Sequence, residues 1–302
     1  MRAINLALLF CFILYFIFNV NRINNMSKLI ATDLDGTLFY PKRRIKMITK
    51  QSLKFLRDHI DNGGRLVLVS GRNSIYLQKV AEKIDRPVDM IGCNSSYIIA
   101  DGKYIKQETF EPKLIKRILK EIDEKYHPKG YLVMSDDGKF ISRQKFTTLF
   151  YRIGYAIWNA TQGIYKEPFY VDTKLFNEIL ESGRARKIMV FFGIGKKNVA
   201  TSKEANKGIR KTYSNEMEAS WSNEFIELSP YGCSKSEGLK YYLNYLKINQ
   251  SDVYVVGDSG NDISMFNAFP EHSFCMAHAS LSVSKYAKHT LKRFADLKNY
   301  IE

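Results

Sequence analysis

Short unbroken apolar runs alternate along this chain with stretches in which apolar residues recur every third or fourth position. Leu29-Ile30-Ala31, Arg65-Leu66-Val67-Leu68-Val69 and Val253-Tyr254-Val255-Val256 are of the first kind. Runs of this length read as strands buried on both faces of a parallel sheet. Strand 28–33 leads through an irregular stretch into a helix predicted from about Thr49 to Asp61. Leu53, Leu56 and Ile60 give that helix its apolar spacing, Thr49 suits its N-cap and Gly63-Gly64 its end. Strand 65–69, helix 73–84, a short strand at Met90-Ile91 and a hairpin over 97–107 turning on Asp101-Gly102 follow.

From about residue 109 the pattern changes. Helix 111–126 precedes two short strands, Tyr131–Met134 and Lys139–Ser142, joined through Asp136-Asp137-Gly138. An aromatic-rich stretch comes next, with Phe146, Phe150, Tyr151, Tyr155 and Trp158. Phe146, Phe150 and Ile153 at helical spacing read as core of this part, and the alternative is a platform for a substrate ring. A helix near 172–182, strand 187–192, a helix near 198–213 and strands near 216–228 complete an α+β layer. No internal repeat or low-complexity tract interrupts it.

The candidate chemistry sits where predicted strands end. Asp33-Leu34-Asp35-Gly36-Thr37 follows the first apolar run, and Gly257-Asp258-Ser259-Gly260-Asn261-Asp262 follows the last. Open α/β sheets place their ligand sites at the carboxyl ends of the strands. Carboxylates gathered there repel one another unless a cation sits among them, and hard oxygen donors suit Mg²⁺. Strand 65–69 ends on Ser70-Gly71-Arg72-Asn73, whose hydroxyl and backbone N–H groups suit a phosphate oxygen. Ser234-Lys235-Ser236 opens a predicted helix carrying Leu239, Tyr242 and Leu243, so Lys235 would bring a point charge to the same edge.

These four segments, in this order, resemble the haloacid-dehalogenase superfamily, and within it the Cof-type sugar-phosphate phosphatases with a large cap. The family pattern is DxDGT, a strand-end Ser or Thr, a Lys, then GDxxND, met here by Asp33/Asp35, Ser70, Lys235 and Asp258/Asn261/Asp262. Asn94-Ser95-Ser96-Tyr97-Ile98-Ile99 and Ile226-Glu227-Leu228 match further pieces. The resemblance covers residues 28–302 and is weakest in the middle. It implies an α/β fold: a Rossmann-like doubly wound parallel sheet core formed by 26–108 and 229–302, with an inserted α+β cap domain over 109–228.

The resemblance also implies a Mg²⁺-dependent phosphatase that hydrolyses small phosphorylated metabolites, sugar phosphates foremost, through an aspartyl-phosphate intermediate. Asp33 would be the nucleophile and Asp35 the general acid and base. Asp33, the main-chain carbonyl of Asp35 and Asp258 would hold Mg²⁺, with Asp262 as a further ligand or an outer partner. Ser70, Gly71 and Lys235 would bind the phosphoryl group, and Asn261 would orient the phosphate or the Lys235 ammonium. An Asp at position 35 argues against the ion-pump and dehalogenase branches, which lack an acid there. A sugar phosphomutase and a non-catalytic membrane-anchored regulatory protein are the alternatives. Asn94-Ser95-Ser96 and Ala277-His278-Ala279 depart from the usual Asn-Gly-Ala and Gly-Asn-Ala.

Composition refines the picture in three places. A chain of 302 residues with 45% hydrophobic content can fill more than one core. Cys11, Cys93, Cys233 and Cys275 are scattered without a CxxC pair, and the five histidines show no ligand spacing, so neither a disulfide framework nor a zinc or His-based metal centre is expected. The net charge of +15 comes from Lys and Arg interleaved with acids in helical stretches such as 113–125 and 196–211. That distribution reads as solvated helix faces and an attraction for anionic substrates; no nucleic-acid module accompanies it.

The first 25 residues stand apart. Leu6 to Val20 is almost wholly apolar, with Arg22, Lys28, Lys42, Arg43 and Arg44 after it. Either this is a signal anchor whose positive flank keeps the catalytic part in the cytosol, or translation starts at Met26-Ser27-Lys28. Both readings predict a cytosolic enzyme.

Overall fold

The structure is a computed structural model, and it describes residues 28–41, 47–143, 153, 157, 169–222 and 225–301. The apolar N-terminal run and Phe146, Phe150, Tyr151, Tyr155 and Trp158 lie outside the described residues. Ile153 is described and is 51% exposed, so at that position the aromatic stripe is not core.

The strands fall into two sheets. Eight of them form a sheet ordered β14-β13-β12-β1-β2-β3-β4-β5. Here β1 is Leu29–Thr32, β2 Arg65–Val69, β3 Asp89–Gly92, β4 Tyr97–Ala100, β5 Lys103–Gln107, β12 Val253–Gly257, β13 Ser273–Met276 and β14 His289–Leu291. The pairs from β14 to β3 are parallel, and the β3-β4 and β4-β5 pairs at one edge are antiparallel. β1 lies between β12 and β2 and all four of its residues are buried, which explains why its sequence is apolar without alternation.

Two helices of this part carry side-chain N-caps, the first of them the one expected from the sequence. In α1 (Lys50–Asp61) the Thr49 hydroxyl accepts from the Ser52 amide at 3.1 Å. In α2 (Ser74–Ile84) Asn73 does the same for Tyr76 at 2.8 Å. The Asp101-Gly102 turn between β4 and β5 has both residues at positive φ, 49° and 75°, as a two-residue hairpin of this kind requires.

The second sheet is ordered β10-β11-β9-β6-β7-β8, with β6 Gly130–Ser135, β7 Phe140–Ser142, β8 Phe169–Val171, β9 Ala185–Phe191, β10 Met217–Ser222 and β11 Phe225–Pro230. Its pairs are antiparallel except β7-β8. Tyr131, Val133, Ile188, Val190, Ile226 and Leu228 pack with α3 (Pro112–Tyr126), α4 (Thr173–Glu181) and α5 (Lys196–Tyr213). Alternate residues of the same strands, Leu132, Met134, Met189 and Phe225, join the core that contains Cys93 and Tyr97 of the first sheet region. The second sheet therefore has one face on its own helices and one face on the first sheet, the α+β cap of the expected fold class. β8 and the C-terminal β13 and β14 were not among the predicted elements.

Two connections join the parts, one between β5 and α3 and one between β11 and α6 (Lys235–Leu246). They run close together, with Lys106 Nζ 3.9 Å from Cys233 Sγ. In α6, Leu239, Tyr242 and Leu243 pack on Leu29, Ala31, Val67 and Val69 of the parallel sheet. That packing points the first turn of α6 at the carboxyl ends of the strands.

Candidate active site

Strand register assembles the site. Thr32 of β1 pairs with Val256 of β12 and with Leu68 of β2. Asp33 thus leaves the sheet level with Gly257 and Val69, one residue before Asp258 and Ser70. Its amide continues the ladder by donating to the Val256 carbonyl at 2.9 Å. Segments far apart in the chain meet because three parallel neighbours end on the same edge.

Lys235 enters this edge as the first residue of α6, whose N-cap is Ser234. Its ammonium donates to Asp33 Oδ1 and Asp262 Oδ1, each at 2.7 Å, and its side chain is 1% exposed. Asp262 is wholly buried, and its Oδ2 accepts from the Asp258 amide at 3.0 Å, the Ser259 amide at 2.9 Å and the Ser259 hydroxyl at 3.1 Å. Each of its oxygens therefore accepts at least one hydrogen bond. Asn261 Oδ1 accepts from the Ser259 hydroxyl at 2.8 Å, and it is Asp262 that orients the Lys235 ammonium.

Asp258 completes the acidic group. Carboxylate oxygens of Asp33, Asp258 and Asp262 lie within 4.8 Å of one another. Thr37 donates to Asp258 Oδ1 at 3.0 Å, and His278 Nε2 lies 3.4 Å from Asp258 Oδ2. Gly36 sits at φ +90°, and a Cβ there would fall 2.2 Å from Asp258 Oδ2. Only glycine both adopts that backbone and leaves room for this carboxylate.

The electrostatics follow from crowding. Burial pushes the Asp33 carboxyl well above the usual carboxylate range; Lys235 pulls it down, and the charges of Asp262 and Asp258 push it up again. Asp258 is raised by burial and by Asp262. Burial opposes the charge on Lys235, but Asp262 and Asp33 outweigh it and hold the ammonium firmly protonated. Three carboxylates against one ammonium leave an excess of negative charge that a cation would relieve. The donors are all hard oxygens, the set that Mg²⁺ takes.

Ser70 and Asp35 stand at the margin of this cluster. Ser70 Oγ accepts from the Arg72 amide at 3.3 Å, and the Ser70 carbonyl accepts from the Asn94 amide at 3.2 Å. Asp35 makes a two-pronged pair with Arg72, Nε to Oδ2 at 2.8 Å and Nη2 to Oδ1 at 3.0 Å. The Asp35 carboxylate is thus turned to Arg72, outside the group formed by the other three acids. Arg72 stacks its guanidinium 4.7 Å from the centre of the Tyr76 ring.

Sequence reasoning missed three neighbours of the site. Arg72 was read only as part of a segment, although an arginine two residues after Ser70 is well placed to reach a carboxylate in the next loop. His278 was noted only as a departure from Asn; it stacks on Tyr40 with centroids 4.0 Å apart and an interplanar angle of 16°. Lys187 carried no signal at all, yet it is 2% exposed and reaches the Gly71 carbonyl from the second sheet at 3.0 Å. The described cysteines, Cys93, Cys233 and Cys275, are buried and unbridged.

The chain is similar to known proteins along most of its length. The sequence profile of haloacid dehalogenase-like hydrolases matches residues 30–296. Pyridoxal phosphate phosphatase YbhA of Escherichia coli is 23% identical over 247 residues, 80% of this chain and 85% of its own. The 5-amino-6-(5-phospho-D-ribitylamino)uracil phosphatase YwtE of Bacillus subtilis is 22% identical over 262 residues, 83% of this chain and 88% of its own. Among solved structures, a sugar phosphatase of haloacid-dehalogenase subclass IIB superposes with a TM-score of 0.69 at 17% identity, covering 91% of this chain and 99% of that one. The chain belongs to the haloacid dehalogenase-like hydrolases, in the Cof-type branch that its motif order implies.

Proposed function

We propose that this protein is a phosphoric monoester hydrolase acting on small phosphorylated metabolites, with sugar phosphates as the preferred class. The observation that carries the reading is the buried cluster in which Lys235 bridges Asp33 and Asp262 while Asp258 stands within 4.8 Å of both acids. Phosphate esters resist attack because an anion must be approached by a nucleophile while an alkoxide leaves. A carboxylate held by an ammonium, with a cation site beside it, answers both difficulties.

In this reading Asp33 attacks the phosphorus and forms an aspartyl phosphate, and the ester oxygen leaves. Asp35 gives that oxygen its proton, then takes one from the water that cleaves the intermediate. To do so Asp35 must leave or share its pairing with Arg72. Ser70 Oγ–H, the Gly71 amide and Lys235 hold the phosphoryl oxygens. Asp33, Asp258 and the Asp35 carbonyl would hold Mg²⁺, which when bound neutralises charge on the phosphoryl group. In this reading Asp262 acts from outside, holding Lys235 through Oδ1 and the Asp258 and Ser259 amides through Oδ2. Asn261 steadies the Ser259 turn.

The proposed division is a core of residues 26–108 and 229–302 and a cap of 109–228, closing about the paired connections near 107–110 and 228–232. Closure would exclude water from the reacting group. The proposed setting is the cytosol, which suits three buried unbridged thiols. Among the described residues no helix is long and apolar enough to cross a membrane.

The test is phosphate release from a panel of phosphate esters with Mg²⁺. Turnover on sugar phosphates that disappears in Asp33→Asn is expected. Release from no ester, or equal release by the folded Asp33→Asn variant, would overturn the reading.

A further inference from the structure

Strand alternation predicts a surprise in the second sheet. In β9, Ile188 and Val190 face the covering helices, so Lys187 and Met189 point the other way. In β11, Ile226 and Leu228 face the helices, so Phe225 and Glu227 share that opposite face. The face points at the first sheet, and its lysine and glutamate are buried against it, with side-chain exposures of 2% and 12%.

The charges are paired and anchored to the other part of the chain. Lys187 Nζ lies 2.8 Å from Glu227 Oε2 and donates to the Gly71 carbonyl at 3.0 Å. Glu227 Oε2 also accepts from Asn94 Nδ2 at 3.0 Å. Asn94 in turn donates its amide to the Ser70 carbonyl at 3.2 Å. Both carbonyls of the Ser70-Gly71 turn are thereby held, one by Asn94 and one by Lys187. A Cβ on Gly71 would stand 2.7 Å from Lys187 Nζ and 3.1 Å from Asn94 Oδ1, so the ammonium is packed directly on this turn. A buried charge pair contributes little net stability, and fixing a geometry is one use found for such pairs in some proteins.

We propose that Lys187 and Glu227 are positioning residues that hold the Ser70-Gly71 turn in its phosphate-binding shape. The second sheet then completes the phosphate cradle as well as covering it. When the cap swings away, Lys187 leaves the Gly71 carbonyl, the turn relaxes, and phosphate affinity drops. The inference rests on the reading of Ser70 and Gly71 as phosphate ligands.

The experiment compares wild type with Lys187→Met/Glu227→Gln, which removes both charges and strands neither. With p-nitrophenyl phosphate and Mg²⁺, kcat/KM is expected to fall about 10–100-fold, the scale of a small misplacement of binding groups. The inhibition constant for inorganic phosphate should rise by a similar factor. The same change in a Ser70→Ala background should add little, because the pair acts through that turn. A merely structural pair would lower Tm and leave phosphate inhibition unchanged, which overturns the inference. If the double variant does not fold, Glu227→Gln alone, which keeps the side-chain shape, should weaken phosphate inhibition; unchanged inhibition there overturns it equally. A wild-type chain that hydrolyses no ester overturns the proposed function itself, so the two failures are distinct.

Discussion

Lys235 and Lys187 are both buried lysines that hold carboxylates, and they differ in what surrounds them. Lys235 stands among Asp33, Asp262 and Asp258, one ammonium against three acids, and burial and mutual repulsion push Asp33 and Asp258 up. Among the described residues Lys187 is ion-paired with Glu227, one positive charge against one negative. The first cluster gathers acids that could hold a cation; the second is a paired lysine and glutamate. The first sits on parallel strand ends where chemistry is placed, the second on the underside of an antiparallel sheet where geometry is set.

The largest effect belongs to Asp33→Asn. Removing the carboxylate that attacks phosphorus should lower kcat by about 10⁴-fold or more while circular dichroism stays unchanged. Turnover near the wild-type rate would mean that the Lys235 cluster is as purely structural as the neutral pair.

Next is the cation. EDTA should silence phosphate release and added Mg²⁺ restore it. Asp258→Asn should raise the Mg²⁺ concentration needed for half-activation by at least about 10–100-fold, the loss that even an outer partner of a metal causes. The Lys187/Glu227 variants should keep the wild-type Mg²⁺ requirement. A shared change would erase the distinction between the two clusters.

How much of this was legible beforehand depends on the range of the determining contacts. Thr49 as a cap, Asp101-Gly102 as a turn and the apolar β1 and β12 are local signals, and each lies where it was expected. The positions of Asp33, Ser70 and Asp258 at one sheet edge were legible because a residue at a strand end needs only the strand to be placed, and that of Lys235 because Ser234 opens a helix there. Lys187 was not, since its partner Glu227 is 40 positions away and only the β9-β11 register brings them together. β8 was missed for the same reason: three residues form a strand only by pairing with β7. For Asp262 the sequence left two roles open, further ligand or outer partner, because the capping hydrogen bonds to Oδ2 arise from the Ser259 turn itself.

A smaller effect, on stability, comes from Lys235→Met. It leaves Asp33 and Asp262 buried without their cation, a change that costs about 3–5 kcal/mol at neutral pH in Mg²⁺-free buffer. The sign of its pH dependence follows from burial. Asp33 is already raised, and losing the Lys235 pull raises it further. A carboxyl whose folded pKa lies above its unfolded value favours the fold at low pH and ceases to do so as pH rises through the folded pKa. The gap in stability between variant and wild type should therefore widen from acid pH toward neutrality, read by denaturant titration at several pH values. A gap independent of pH would contradict the burial argument.

The smallest prediction supplies the contrast with both clusters. Thr49 caps α1 by accepting from the Ser52 amide, and α1 packs through Leu56 on the hydrophobic core. Thr49→Ala removes one hydrogen bond at a helix terminus, which costs about 1 kcal/mol. Tm should fall by a few degrees, while kcat, the Mg²⁺ requirement and phosphate inhibition hold at wild-type values. If this loss of stability alone altered phosphate inhibition, the same readout could no longer distinguish a positioning role for Lys187 from a general loosening of the fold. Unchanged inhibition in Thr49→Ala beside weakened inhibition in the Lys187/Glu227 variant would tie the effect to the Ser70-Gly71 turn.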